Sequence, residues 1–207
     1  IKTRVVDPHN REKAYQFIRG QIQEGRQAFV ICPLIEETAK NASGSAEKKT
    51  VLAEYKKLSE KIFSDLRVEY LHGKMKAGDK EKIMRRFAEG EIDILVSTSV
   101  VEVGVDIPNA SVMMIEGAEH FGLAQLHQFR GRVGRAEHQS YCFIFTDSDS
   151  EKTLERLSYF EKNSDGFALA EYDLQTRGPG EVYGTAQSCM MNFRLSTMRD
   201  IDIIKLT

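Results

Sequence analysis

The feature that most constrains this chain is a rhythm. Short, β-branched apolar runs alternate with longer segments whose apolar residues recur every three or four positions. Gln27 to Cys32, Leu66 to Leu71, Ile92 to Ser97, Ser111 to Ile115 and Tyr141 to Phe145 are the runs. Each has the length of a buried strand and falls short of a helix. Between them, Arg11 to Glu24 carries Tyr15, Ile18 and Ile22 at helical spacing and meets Gly25. Glu47 to Phe63 sets Val51, Leu52, Tyr55, Leu58 and Ile62 on one helical face. Asp79 to Ala88 groups Ile83, Met84 and Phe87 and stops at Gly90. Gly122 to Arg135 begins as a helix through Leu123 and Leu126. This alternation predicts an α/β fold, a mostly parallel sheet with helices on both faces. Ligands on such sheets gather at the carboxyl ends of the strands.

After Phe145 the rhythm changes. Ser150 to Glu161 and Phe167 to Gln175 read as two helices joined by a turn at Asn163 to Gly166. Arg177-Gly178-Pro179-Gly180 then breaks regular structure. A boundary near residue 147 is expected: an α/β domain over 1–147, then a helical hairpin and irregular hook over 148–207. Asn41 to Ala46 is small and polar and reads as a loop. Phe193 to Leu206 resembles a helix cut short.

The 29 basic and 31 acidic residues leave a net charge of -2. No global attraction to a polyanion follows, so any nucleic-acid contact must come from a local patch or a partner domain. Apolar runs such as Val112 to Ile115 are far too short to span a bilayer, so no membrane role is expected. Cys32 and Cys142 sit in strand-like runs and no CxxC pair occurs. They read as small buried hydrophobes of a reducing, cytoplasmic compartment, with no metal site. The chain opens on Ile1 rather than Met, as expected of an excised or processed piece.

Two absences bear on function. No GxxxxGK[ST] segment is present to wrap phosphates in backbone amides. No Asp-Glu pair follows a strand to hold magnesium. Against this stands Arg130-Gly131-Arg132-Val133-Gly134-Arg135, with three arginines and two glycines in six positions. On a helix Arg132 and Arg135 share nearly one face. Each glycine costs a helix roughly 1 kcal/mol against alanine. Small residues there let another body approach. A forked, permanently charged guanidinium suits phosphate oxygens. The plainer alternative is a solvated basic helix end with ordinary salt bridges.

These segments resemble the second-lobe motifs of superfamily-two helicases and translocases. Val30-Ile31-Cys32-Pro33-Leu34 comes first. Leu71-His72-Gly73-Lys74-Met75 follows, with Glu81 to Met84 and Phe87 behind it. Ser97 through Asp106-Ile107-Pro108 and Arg130 through Arg135 complete the order. The match covers roughly residues 1–146. Asp173 to Gly180 and Gly184-Thr185-Ala186-Gln187-Ser188 resemble the translocation motif of the RecG family of fork-remodelling DNA helicases. Ala118 to Gly122 is similar to that family too. Cys189 and His120 depart from the pattern, which would place glycine and arginine there.

The resemblance implies a RecA-like fold and a role for each motif. Arg132 and Arg135 would be catalytic, reaching the γ-phosphate of ATP held mainly, with Mg2+, by a missing N-terminal motor lobe. Gln128 would lie near that phosphate. Glu102 would order the loop or touch the nucleotide pocket, Gly104 would permit close backbone approach and Asp106 would accept from the ribose. Pro33, His72, Gly73, Lys74, Thr98 and Ser99 would contact DNA. Arg177 and Gln187 of the hook would couple cleft motion to DNA. Plainer alternatives stay open: Asp106 as a turn residue before Ile107-Pro108, His72 as a surface histidine, the hairpin as a strap packed on the sheet.

The resulting expectation is the second motor lobe of an ATP-dependent translocase acting on branched or forked double-stranded DNA, inactive alone. Its partners would be the N-terminal motor lobe and a wedge domain of the same full-length protein. The alternatives are the matching lobe of a transcription-repair coupling factor, or a non-catalytic nucleic-acid-binding adaptor of the same fold.

Overall fold

The computed structural model describes residues 1–33, 46–98, 107–134 and 138–177, with the side chains of 46–50 and 177 set aside. In chain order the elements are β1 (Lys2–Val6), α1 (Arg11–Gln23), β2 (Gln27–Cys32), α2 (Ala46–Lys56), β3 (Val68–Leu71) and α3 (Ala77–Ala88). They continue with β4 (Ile94–Thr98), β5 (Ala110–Ile115), α4 (Leu123–Arg130), β6 (Tyr141–Phe145), α5 (Glu151–Lys162) and α6 (Gly166–Arg177). The six strands form one sheet in the order β1-β6-β5-β2-β4-β3. Every pairing between them is parallel.

Strand periodicity builds the two layers that cover this sheet. Successive side chains of a strand point to opposite faces, and β2 is buried at every position. Its Phe29 and Ile31 join Leu95, Met113, Ile115 and Ile144 on one face. There they meet Ile83 and Phe87 of α3, Leu123 and Leu126 of α4, Leu157 and Phe160 of α5 and Leu169 of α6. Its Ala28, Val30 and Cys32 join Val96, Met114 and Phe145 on the other, under Tyr15, Ile18 and Ile22 of α1 and Val51 of α2. The hairpin α5–α6 thus shares its core with the sheet. Cys32 and Cys142 are free and buried, as expected of small hydrophobes, and burial pushes the Cys142 thiol up to about 12.

Three local expectations change. β1 carries no apolar run, yet it pairs with β6 at the sheet edge, Lys2 N donating to Ser140 O at 2.8 Å. An edge strand buries one side only, so Lys2 and Arg4 stay exposed and no apolar run marks it. The single helix expected over Glu47 to Phe63 is instead α2 followed by a π-turn at Lys57–Ile62. The Phe63 amide reaches back five residues to Leu58 O. The segment Gly122 to Arg135, read as helical at its start, is helical as far as Arg130, with Gly131 as its cap.

Candidate functional site

Strand register decides which of the expected contact residues meet. Cys32 lies opposite Thr98 and Leu71 opposite Ser97. Pro33, Thr98 and His72 therefore stand side by side at the carboxyl ends of β2, β4 and β3, spanning about 10 Å at the usual 4.8 Å strand spacing. Thr98, Pro33 and His72 are buried, while Gly73 is half-buried and Lys74 exposed. The His72 carbonyl accepts from Met75 N at 3.2 Å, closing the turn that presents Lys74. The His72 ring stacks on Tyr70 at 6.1 Å. Ser99 lies outside the described residues.

The arginine segment sits at the opposite end of the sheet. A parallel βαβ unit must bring the chain back from the carboxyl end of one strand to the amino end of the next. Between β5 and β6, α4 makes that return. Its C-terminal turn comes to rest against Ile1 and Ser140, at the starts of β1 and β6. Gly134 has φ +86, and a Cβ there would lie 2.9 Å from Ile1 Cγ1. The two glycines thus close a turn rather than interrupt a helix, which removes their cost to helix stability. Gln128 is exposed on α4 and Arg132 is exposed in the turn, with Arg132 N donating to Phe129 O at 2.9 Å. Arg132 is therefore not on a helical face, a correction to the spacing argument. Ile107 is buried, and Asn109 O accepts from Gln27 N at the amino ends of β5 and β2. Glu102, Gly104, Asp106 and Arg135 lie outside the described residues.

Arg130 behaves unlike its neighbours. It is 5% exposed, and its guanidinium lies 4.3 Å from the centre of the Phe160 ring. It donates to Phe160 O at 3.2 Å and Asn163 O at 3.0 Å, both at the turn of the α5–α6 hairpin. Burial holds its pKa below the usual guanidinium value. His127 Nδ1 lies 2.9 Å from Arg130 Nη2. The far end of α4 is held by the same hairpin: Asp173 Oδ2 of α6 accepts from Leu123 N at 2.9 Å. Arg156 of α5 reaches Asp173 at 3.4 Å and donates to Phe121 O at 2.9 Å. The arginine helix is clamped at both ends. Arg156 was not singled out in sequence and Asp173 was read only as the start of the translocation-motif segment, because nothing in their spacing shows that they meet at the start of α4. Arg177 ends α6, and Gln187 is outside the described residues.

Sheet order and layered helices define a RecA-like α/β domain, and the sequence holds no phosphate loop of its own. The chain belongs to the helicase conserved C-terminal domain family, which matches residues 10–137. Over nearly its whole length it is similar to the ATP-dependent DNA helicase RecG. The identity is 47% to RecG of Synechocystis over 198 residues, 96% of this chain and 23% of the relative. For Thermotoga maritima RecG it is 43% over 206 residues, 99% of this chain and 26% of the relative. The solved structure of RecG bound to a three-way DNA junction matches with a TM-score of 0.71 and 44% identity, covering 87% of this chain and 23% of that one. Domain 2 of the DEAD-box helicase Mss116p bound to an RNA duplex shares the fold, at a TM-score of 0.58 and 22% identity over 77% of this chain and 59% of that one. The chain spans about a quarter of the length of the curated relatives it matches. The RecG-type resemblance read from the hook is borne out. Among the described residues no helix is long and apolar enough to cross a membrane.

Proposed function

We propose that this chain is the second motor lobe of an ATP-dependent double-stranded DNA translocase of the RecG kind, remodelling stalled forks and recombination intermediates in the cytoplasm. The observation that carries the proposal is the 43–47% identity to RecG across 96–99% of the chain. In this reading Arg132 and Arg135, with Gln128, face ATP held by an N-terminal lobe. Glu102, Gly104 and Asp106 line the ribose side. ATP, whose hydrolysis would supply the driving energy, and Mg2+ would be bound mainly by that other lobe. Arg132 is an exposed residue, and the forked, permanently charged guanidinium suits phosphate oxygens. Pro33, His72, Gly73, Lys74, Thr98 and Ser99 form the DNA side. Lys74 brings the charge, and the buried members shape the strand ends beneath it.

Residues 1–147 then serve as the motor lobe and 148–207 as hairpin and hook. The double clamp on α4 supports a coupling role for the hairpin, since movement of the arginine turn cannot leave Asn163 or Asp173 in place. Arg177 and Gln187 would carry that movement on to branched DNA, alongside a wedge domain of the full-length protein. The purified chain alone should neither bind ATP tightly nor hydrolyse it. Addition of the N-terminal lobe should restore DNA-stimulated turnover. ATPase activity from the chain alone, measured by phosphate release, would refute the proposal.

A further inference from the structure

A second polar cluster, outside both groups, lies at the carboxyl end of β5. Glu116 follows the last residue of that strand and is 7% exposed. Both its carboxylate oxygens accept from Arg11 Nη1, at 3.0 and 2.9 Å. Tyr15 OH lies 3.4 Å away and donates to the same carboxylate. Lys57 Nζ stands 3.7 Å from it and 3.0 Å from Glu54. Arg11 extends the network through Nη2 to Asp147, just past β6, at 2.8 Å, and its guanidinium rests 5.0 Å from the Phe145 ring centre. Burial alone would pull the Arg11 pKa down, but Glu116 holds it well above its usual value. Burial, reinforced by Glu116, raises that of Glu54.

The backbone joins this cluster to the strand ends of the DNA group. Glu116 N donates to Ile31 O at 2.8 Å. Gly117, at φ +58, sits so close to β2 that a Cβ would lie 2.9 Å from Pro33 Cγ. Lys57 opens the π-turn, the irregularity that ends α2 beside this network. Burying a carboxylate with two cations contributes little net stability, because desolvation offsets the attraction. What such a network supplies is geometry, since each partner satisfies charge in one arrangement only.

We propose that Glu116 is a positioning residue for the DNA-facing end of the sheet, fixing the ends of β2, β5 and β6 relative to α1 and α2 through Arg11 and Lys57. The inference rests on the reading of that end as DNA-facing. The test uses the full-length protein and forked duplex DNA, following ATPase rate against DNA concentration. Glu116→Gln should raise the DNA concentration for half-maximal stimulation by about tenfold, the scale of a contact set displaced by a fraction of an ångström. The ATP KM, the DNA-saturated rate and the DNA-independent rate should stay within about twofold on the same grounds. Glu116→Asp should recover part of the loss. Arg11→Lys, which keeps the charge but cannot hold Glu116 and Asp147 through two separate nitrogens, should reproduce the shift if Glu116→Gln fails to fold. An unchanged DNA dependence in the folded variant overturns the role. So does a fall in rate that merely follows a falling melting temperature. Lys74→Ala separates the two layers. DNA affinity lost there but kept in Glu116→Gln removes the positioning role alone, whereas affinity kept in both removes the DNA-facing reading and this inference with it.

Discussion

The two ends of the sheet are built differently. At the carboxyl end the proposed DNA group stands on three neighbouring strands, and its register follows from main-chain pairing. At the amino end the arginine turn is placed by a helix, and that helix is placed by a hairpin that grips it through Asp173 and Arg130. The first arrangement is rigid because sheet hydrogen bonds set it. The second depends on side chains reaching across an interface, so a shift of the hairpin can shift it. The rule placing ligands at carboxyl strand ends speaks only to the first of these two regions.

The contrast can be broken at either end. The largest effect is expected from the arginine segment, at a position outside the described residues. Arg135→Ala in the full-length protein should lower turnover by roughly 10³–10⁵, as for other arginines that stabilise phosphoryl transfer, with DNA affinity unchanged. A loss of only a few-fold would return Arg135 to the role of an ordinary surface cation. Next is Arg130→Met, which removes the donor to two carbonyls and the cation over Phe160. Urea unfolding should show a loss of roughly 2–4 kcal/mol. No loss would mean that the hairpin does not depend on this clamp. At the carboxyl end Lys74→Ala should weaken duplex binding several-fold and reduce the slope of log affinity against log salt by about 1, with the ATP KM unchanged. An altered ATP KM would mean that the two ends are not functionally separate.

The smallest effect concerns pH at the clamp. Burial, then the charge of Arg130, holds the His127 pKa below its ordinary value. The native chain therefore prefers the neutral ring, and the unfolded chain takes up the proton first as pH falls. Stability should decline as pH drops below about 6.5, and His127→Gln should flatten that decline in pH-dependent thermal melts. A steeper decline in the variant would contradict the sign.

Much of this was legible in the residues, and what was not has physical causes. β2 and β6 have the predicted bounds because strands buried on both faces read as unbroken apolar runs. β1 escaped because an edge strand needs no such run. The π-turn escaped because Leu58 and Ile62, four apart, fit a helical period, whereas the fully buried residue is Phe63, one position further on. The arginine segment was found by composition, but its three arginines could not be sorted. Spacing put Arg132 on a helical face, and only the cap at Gly131 shows it in a turn. Glu116 gave no signal, since its partners come from positions 11, 15 and 57.

By itself, then, the sequence determined the alternating fold, the helicase-lobe motifs and their order, and the missing phosphate loop. These are local properties, carried by periodicity and by residue types within a few positions of one another. The tertiary structure alone decided that the motifs divide between opposite ends of the sheet, that Arg130 is a buried clamp while Arg132 is exposed, and that Glu116 fastens helices to strand ends. Each of these depends on contacts between residues tens of positions apart, and the energy of such a contact appears only when the chain has brought its partners together.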